Sequence, residues 1–277
     1  MVVNSQTERA RIAIIVAPNG ARKTKQDHAQ LPMSIAEMVA EAKVCQTAGA
    51  TMIHLHARDA QGRHSLEVDD NLEIYHAVKA AVGDSMIVQL TTEAVGMYSP
   101  QQQMALIKAV KPEAASFALR ELIPDEQSEE QGFVFLIGSL LGILSQIILY
   151  DQADIERYFS HLERGVLPKH NQHALVVLGR YHEAQQSSPW DLRTLHLERF
   201  IEENVRCAVC AFGTREQDCL THALLLGLDV RVGFENNHLS SDGQLAKSNA
   251  EQIQRLKDVS ELLGVPLHDA ESFRESI

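Results

Sequence analysis

The segment Thr51-Met-Ile-His-Leu-His-Ala-Arg-Asp59 ends a short apolar run in two histidines one residue apart. In a strand, side chains alternate between faces, so His54 and His56 point one way while Ile53 and Leu55 point the other. Two imidazoles at one strand end can reach a single ion, and the polar turn over residues 57–62 places that end near solvent. Zinc accepts such nitrogen donors, needs a third protein group, and keeps one position open when the site is catalytic. A hydrogen-bonded histidine pair without an ion is the competing reading of this segment taken alone.

Working outward, the chain repeats the same rhythm. Apolar runs that read as strands cover 11–17, 51–56, 86–92, 114–118, 145–150, 174–178, 206–211 and 229–233. Helical patterns separate them: from the cap Ser34 with Glu37 three residues on to Ala48, then 71–82, 100–110 and 129–141. Further helices are expected over 151–164, within 191–203, and over 214–226 and 248–263. Strands recur roughly every 24–35 residues, and continuously apolar strands alternating with helices imply a parallel sheet covered by helices. Eight such units close most simply into a single-domain α/β (β/α)8 TIM barrel, with its active site at the carboxyl ends of the strands. An open doubly wound sheet is the alternative, but no G-x-G-x-x-G follows the first strand. The expected domain is 11–277, with 1–10 as a flexible tail.

Composition sets the outer bounds. At 277 residues and 45% apolar, the chain can bury a substantial core. Its net charge of −12 and pI near 5.5 argue against a nucleic-acid partner, while leaving room for a local basic pocket. The longest apolar stretch, 132–150, is interrupted by Gly138, Ser139, Gly142, Ser145 and Gln146; it reads as helix, turn and buried strand rather than a membrane span. The first residues lack the apolar core of a signal peptide, so a soluble, cytoplasmic protein is expected. Cys207 and Cys210 have C-x2-C spacing but lie in a strand, where residues three apart face opposite sides, so buried thiols are expected rather than a metal site.

Barrel closure sets the eighth strand beside the first, within one strand of the histidines. Glu235, just after the eighth strand, then becomes the natural third donor of a His2Glu set; a helix-capping or solvated carboxylate is the plainer alternative. Thr91, Thr92 and Glu93 follow the third strand, Ser116 lies in the fourth, and Arg180 and His182 follow the sixth.

These residues resemble the β-keto acid cleavage enzymes, zinc-dependent (β/α)8 proteins. The resemblance covers nearly the whole chain. It is carried by Pro-Asn-Gly-Ala (18–21), by Ala-Gly-Ala-Thr-Met-Ile-His-Leu-His-Ala-Arg-Asp (48–59), by Lys-Pro-Glu (111–113), by Val177-Leu-Gly179, and above all by Val230-Arg-Val-Gly-Phe-Glu-Asn-Asn237 with Ser248-Asn-Ala250. The resemblance implies His54, His56 and Glu235 as ligands of Zn2+ or another divalent transition metal. It implies a reaction of a β-keto acid with acetyl-CoA that yields acetoacetate and a new CoA thioester, and a homo-oligomer, a tetramer in the family. It further implies an assisting role for Arg231, and substrate-binding hydroxyls at Ser116 and Thr91.

Departures bear on the substrate. A family glutamate that binds an amino group stands here as Arg22, and the family's water-activating aspartate as Asn236. An amide cannot act as a carboxylate base, so Glu93, which replaces a glycine, is the candidate substitute. Arg22, Arg120 and Arg180 are expected to decorate one mouth, a basic pocket suited to an anionic substrate or to CoA phosphates. A metal-dependent hydrolase or decarboxylase, or a non-catalytic barrel binding a small acid, are the alternatives.

Overall fold

Each apolar run pairs in parallel with its neighbour in sequence. The strands are β1 (Ile14–Val16), β2 (Met52–Leu55), β3 (Ile87–Thr91), β4 (Ala114–Ala118), β5 (Leu144–Leu149), β6 (Gln172–Leu178), β7 (Arg206–Ala211) and β8 (Asp229–Val232). They close in that order, with β8 returning to pair with β1 through Ile14↔Val230 and Ile15↔Arg231. The computed structural model describes residues 9–138, 142–168 and 172–277. Most of the expected tail therefore lies outside the described residues, as does the expected helix end at Leu141.

Helices α1 (Ile35–Ala48), α2 (Val68–Val82), α3 (Pro100–Val110), α4 (Leu119–Leu122), α5 (Glu129–Gly138), α6 (Gln152–Glu163), α7 (Glu198–Glu202), α8 (Glu216–Leu225), α9 (Asn249–Leu263) and α10 (Ala270–Glu275) surround the barrel. Among the described residues, no helix is long and apolar enough to cross a membrane. The strands are buried on both faces: Ile14, Val16, Ile53, Leu55, Val88 and Leu90 pack beneath helices, while Ile15, Met52, Ile87 and Ala114 fill the interior. That two-sided burial is why the strands read as unbroken apolar runs. The Ser34–Glu37 capping box starts α1 as expected, each side chain accepting from the other's backbone N–H.

Three expectations need correction. β1 is only three residues long, because Ile12 instead bridges to Leu267 and the Ala13 N–H donates to Asp229 at 2.6 Å. The helical region expected within 191–203 splits into a 3₁₀ turn over Asp191–Thr194 and the short α7. α10 lies beyond the last expected helix; Asp269 caps it by accepting from the Ser272 N–H at 2.8 Å. Its Ala270 and Phe273 join the barrel interior, and Arg206, the first residue of β7, stacks over Phe273 at 4.5 Å. Helix α10 thus plugs the amino end of the barrel and leaves the carboxyl end for chemistry. Cys207 packs under the helices and Cys210 in the interior, the opposed placement that strand periodicity requires; both are unpaired thiols.

Gly233 bends the chain out of β8 at φ +141°, where a Cβ would run into the Ala17 carbonyl oxygen. Both the dihedral and the contact exclude a side chain. Gly233→Ala is expected to cost about 3 kcal/mol of stability, read as a lowered urea midpoint; a midpoint equal to that of the parent would mean this crossing can relax.

Candidate metal centre and the cavity around it

The β2–β3 register sets His54 opposite Gln89, and His54 Nδ1 lies 2.7 Å from Gln89 Oε1. That bond places the His54 proton on Nδ1 and leaves the Nε2 lone pair facing His56 Nε2, 3.0 Å away. From the end of β8, Glu235 brings Oε2 to 3.1 Å from His56 Nε2 and 3.7 Å from His54 Nε2. All three donor atoms lie within 4.8 Å of one another.

These separations fit a divalent ion. Bonds of about 2.0–2.1 Å in a tetrahedral site set neighbouring donors about 3.3 Å apart, and the three observed spacings straddle that value. Glu235 Oε2 is buried and accepts no hydrogen bond of ordinary geometry, an arrangement costly without a cation. Burial pushes His54 down to about 4 and His56 to about 3, against the opposing pull of Glu235. Both rings are therefore neutral at neutral pH, the form that donates to a metal. Burial raises Glu235, but Arg231, His56 and His54 outweigh it and hold the carboxyl well below its usual range.

The loop after β1 closes one side. Gly20 sits at φ +65° against Glu235; a Cβ there would come within 2.6 Å of Glu235 Cγ. Arg58 clamps this loop by donating to the Gly20 and Ala21 carbonyls, the latter at 2.9 Å, and to Lys23 O at 3.2 Å. Asn19 Nδ2 ties it to His56 O at 3.1 Å.

Around the donors a cavity opens, lined by Arg22, Lys23, Thr91, Glu93, Arg180, Arg231 and Glu235 among polar groups, and by Ala118, Ile148, Val177 and Phe212 among apolar ones. Arg231 is buried and donates to Glu235 Oε1 at 2.9 Å. Arg180 pairs with Glu93 at 3.1 Å and stacks on Phe212 at 5.5 Å. Thr91 Oγ1 accepts from the Glu93 N–H at 3.0 Å and so helps aim that carboxylate. Burial, reinforced by Glu235 and opposed by Arg180, raises Glu93 to about 7.

Of the residues expected at this mouth, the structure brings together His54, His56, Glu235, Arg231, Glu93, Thr91, Arg22 and Arg180. Arg120 is elsewhere: Asp154 and Asp151 hold it at 2.6 and 3.0 Å, and it stacks on Tyr150 and Tyr181. Two carboxylates on its own side of the rim outcompete the mouth for that guanidinium. Ser116 is buried in β4, in register with Thr91, and Asn236 is buried with Nδ2 toward Cys210 Sγ at 3.7 Å. Neither lines the cavity among the described residues.

Besides Gln89 and Arg58, three more contributors were not anticipated. Lys23 lines the cavity and donates to Phe234 O at 2.7 Å. His64 holds the Glu93 carbonyl at 2.8 Å, with its ring 5.2 Å from that of His56. Glu216, at the start of α8, accepts from Asn237 Nδ2 at 3.1 Å and so steadies the segment that follows Glu235. Only the position of Lys23, two residues past the Gly-Ala turn, offered a signal in the sequence.

Glu216 gives a pH prediction. Burial raises its carboxyl to about 8 against the help of Asn237 and Lys23. Between the ordinary carboxylate range and pH 8 the folded chain keeps a proton that the unfolded chain has released. Stability therefore falls as pH rises through that window, by up to about 1.4 kcal/mol per pH unit. Glu216→Gln is expected to flatten this slope and to raise the urea midpoint at pH 8; an unchanged slope would show that Glu216 is ionised in the fold.

The family model for beta-keto acid cleavage enzymes matches residues 11–277. The chain belongs to that family. Its relatives include the 3-keto-5-aminohexanoate cleavage enzyme of Acetoanaerobium sticklandii, 27% identical over 275 residues, covering 96% of this chain and 97% of the relative. The 3-oxoadipate:acetyl-CoA acetyltransferase of Cupriavidus necator is 23% identical, covering 92% and 90%. Among solved structures, a ternary complex of ObcA with a C4-CoA adduct and oxalate superposes with a TM-score of 0.69 at 19% identity, covering 89% of this chain and 67% of that one. At that identity the match speaks for the barrel alone.

Proposed function

We propose that this beta-keto acid cleavage enzyme family member converts a β-keto acid and acetyl-CoA into acetoacetate and the CoA thioester of the remaining acyl group. The observation that carries the reading is His54, His56 and Glu235 converging beneath a cavity that also presents Arg231 and a non-ligand carboxylate, Glu93. A divalent ion such as zinc, held by those three residues, would supply Lewis-acid polarisation of the bound keto acid.

The chain's own groups account for the rest. Glu93 removes a proton from the methylene between the ketone and the carboxylate of the keto acid, and the carbanion adds to the acetyl thioester carbonyl, expelling CoA thiolate. The thiolate then adds to the original ketone. The bond from that carbon to the methylene breaks, giving the new thioester and the acetoacetate carbanion, to which Glu93 returns its proton. Two bonds form, two break, and the proton balance is zero. Arg231, fixed by Glu235, faces the cavity as a preorganised cation for developing negative charge. The apolar wall of Ala118, Ile148, Val177 and Phe212 excludes water, which would otherwise hydrolyse the thioester.

Metal-loaded protein incubated with acetyl-CoA and a panel of β-keto acids tests this. Acetoacetate and an acyl-CoA in equal amounts are expected; free CoA without acetoacetate would instead indicate thioester hydrolysis and end the reading.

A further inference from the structure

Among the described residues, the cavity wall carries four cations, Arg22, Lys23, Arg180 and Arg231, against two carboxylates, Glu93 and Glu235. Three of the cations are already committed. Arg231 is held by Glu235 at 2.9 Å, Arg180 by Glu93 at 3.1 Å, and Lys23 by the Phe234 carbonyl at 2.7 Å. Arg22 is different: among the described residues it makes no hydrogen bond or ion pair, yet it lines the cavity.

We propose that the keto acid accepted here bears a second negative charge at the end remote from its β-keto carboxylate, and that Arg22 receives it. This deepens the β-keto acid reading above and rests on it. Arg22 lies two residues beyond Gly20, the residue packed against Glu235, so its loop spans from the metal donors to the mouth. Arg58 grips the carbonyls on both sides of it, at Ala21 and Lys23, so the backbone that presents Arg22 is held before any substrate arrives. The exposed guanidinium offers a planar fork matched to a carboxylate. Between the two polar ends, the wall of Ala118, Ile148, Val177 and Phe212 suits a short hydrocarbon link. An ammonium at the remote end meets the opposite situation: the surplus charge of the wall is positive, and the Glu93 carboxylate is already occupied by Arg180.

Three β-keto acids that differ in the group at the end of the same five-carbon chain test the remote charge: 3-oxoadipate with a terminal carboxylate, 3-oxohexanoate with a terminal methyl, and 5-amino-3-oxopentanoate with a terminal ammonium. The expected kcat/KM for 3-oxoadipate exceeds that for 3-oxohexanoate by about 100-fold, the size of one charge-assisted hydrogen-bonded pair, with the amino acid slowest. Arg22→Met is expected to collapse that ratio by about 100-fold, and Arg22→Glu to move the preference toward the ammonium. Preference of the parent enzyme for the methyl or ammonium compound overturns the proposal. So does an Arg22→Met loss that is equal for all three acids with a raised KM for acetyl-CoA, since Arg22 would then serve CoA. Acetoacetate from none of the acids removes the underlying reaction. In that case calorimetric binding of 3-oxoadipate against 3-oxohexanoate, without acetyl-CoA, still decides the charge: tighter 3-oxoadipate binding that Arg22→Met abolishes supports it, and equal binding refutes it.

Discussion

Glu235→Gln is expected to retain no divalent ion after dialysis, where the parent retains one, and to lower turnover by about 1,000-fold, with the barrel still folded. The substitution keeps the volume and leaves Arg231 an acceptor at 2.9 Å, so the loss reads the negative charge rather than a collapsed pocket. His54→Ala removes one of the two nitrogens proposed to hold that ion and is expected to do the same. Its cost to the fold is the unpaired Gln89 oxygen and a small void, about 1–3 kcal/mol, set against a typical domain stability of about 5–15 kcal/mol. Metal analysis on dialysed protein, with circular dichroism as the fold check, decides the matter. One ion per chain in both variants would remove these residues as ligands.

Glu93→Gln comes second, with kcat expected to fall by at least about 100-fold and KM to change little, the mark of a lost proton-transfer group. Glutamine retains an acceptor for Arg180 and a shape that fits beside Thr91, so the cavity wall survives. Metal content is expected to stay at the parent level, which separates this variant from Glu235→Gln. Adding Asn236→Asp in the same background is expected not to restore the rate, because position 236 faces Cys210 and lies off the cavity lining. A kcat within about fivefold of the parent for Glu93→Gln would place the base elsewhere; rescue by Asn236→Asp would place it at 236.

Much of the site was legible because strand periodicity is a local property. The one-residue spacing of His54 and His56 suffices to put both rings on one face, and barrel closure then makes Glu235 their neighbour despite its distance along the chain. The positions of Arg58, His64 and Lys23 follow from loop paths, and loops carry no such periodicity. Arg120 shows the limit most plainly. Its place after β4 suggests the mouth, but Asp151 and Asp154, supplied by the start of α6, turn it away.

Alternating apolar runs and helical patterns alone point to a helix-covered parallel sheet of eight strands, because each strand must bury both faces and each helix one; the β8–β1 pairing then decides for a closed barrel over an open sheet. The H-x-H segment and the distant glutamate likewise name three side chains whose donor atoms the barrel brings within 4.8 Å of one another. Tertiary structure alone decides which charges remain unspent: whether an arginine is neutralised depends on carboxylates brought near by packing, not on the residues beside it in the chain. Arg231, Arg180 and Arg120 each find one, and Arg22, exposed at the cavity wall, does not.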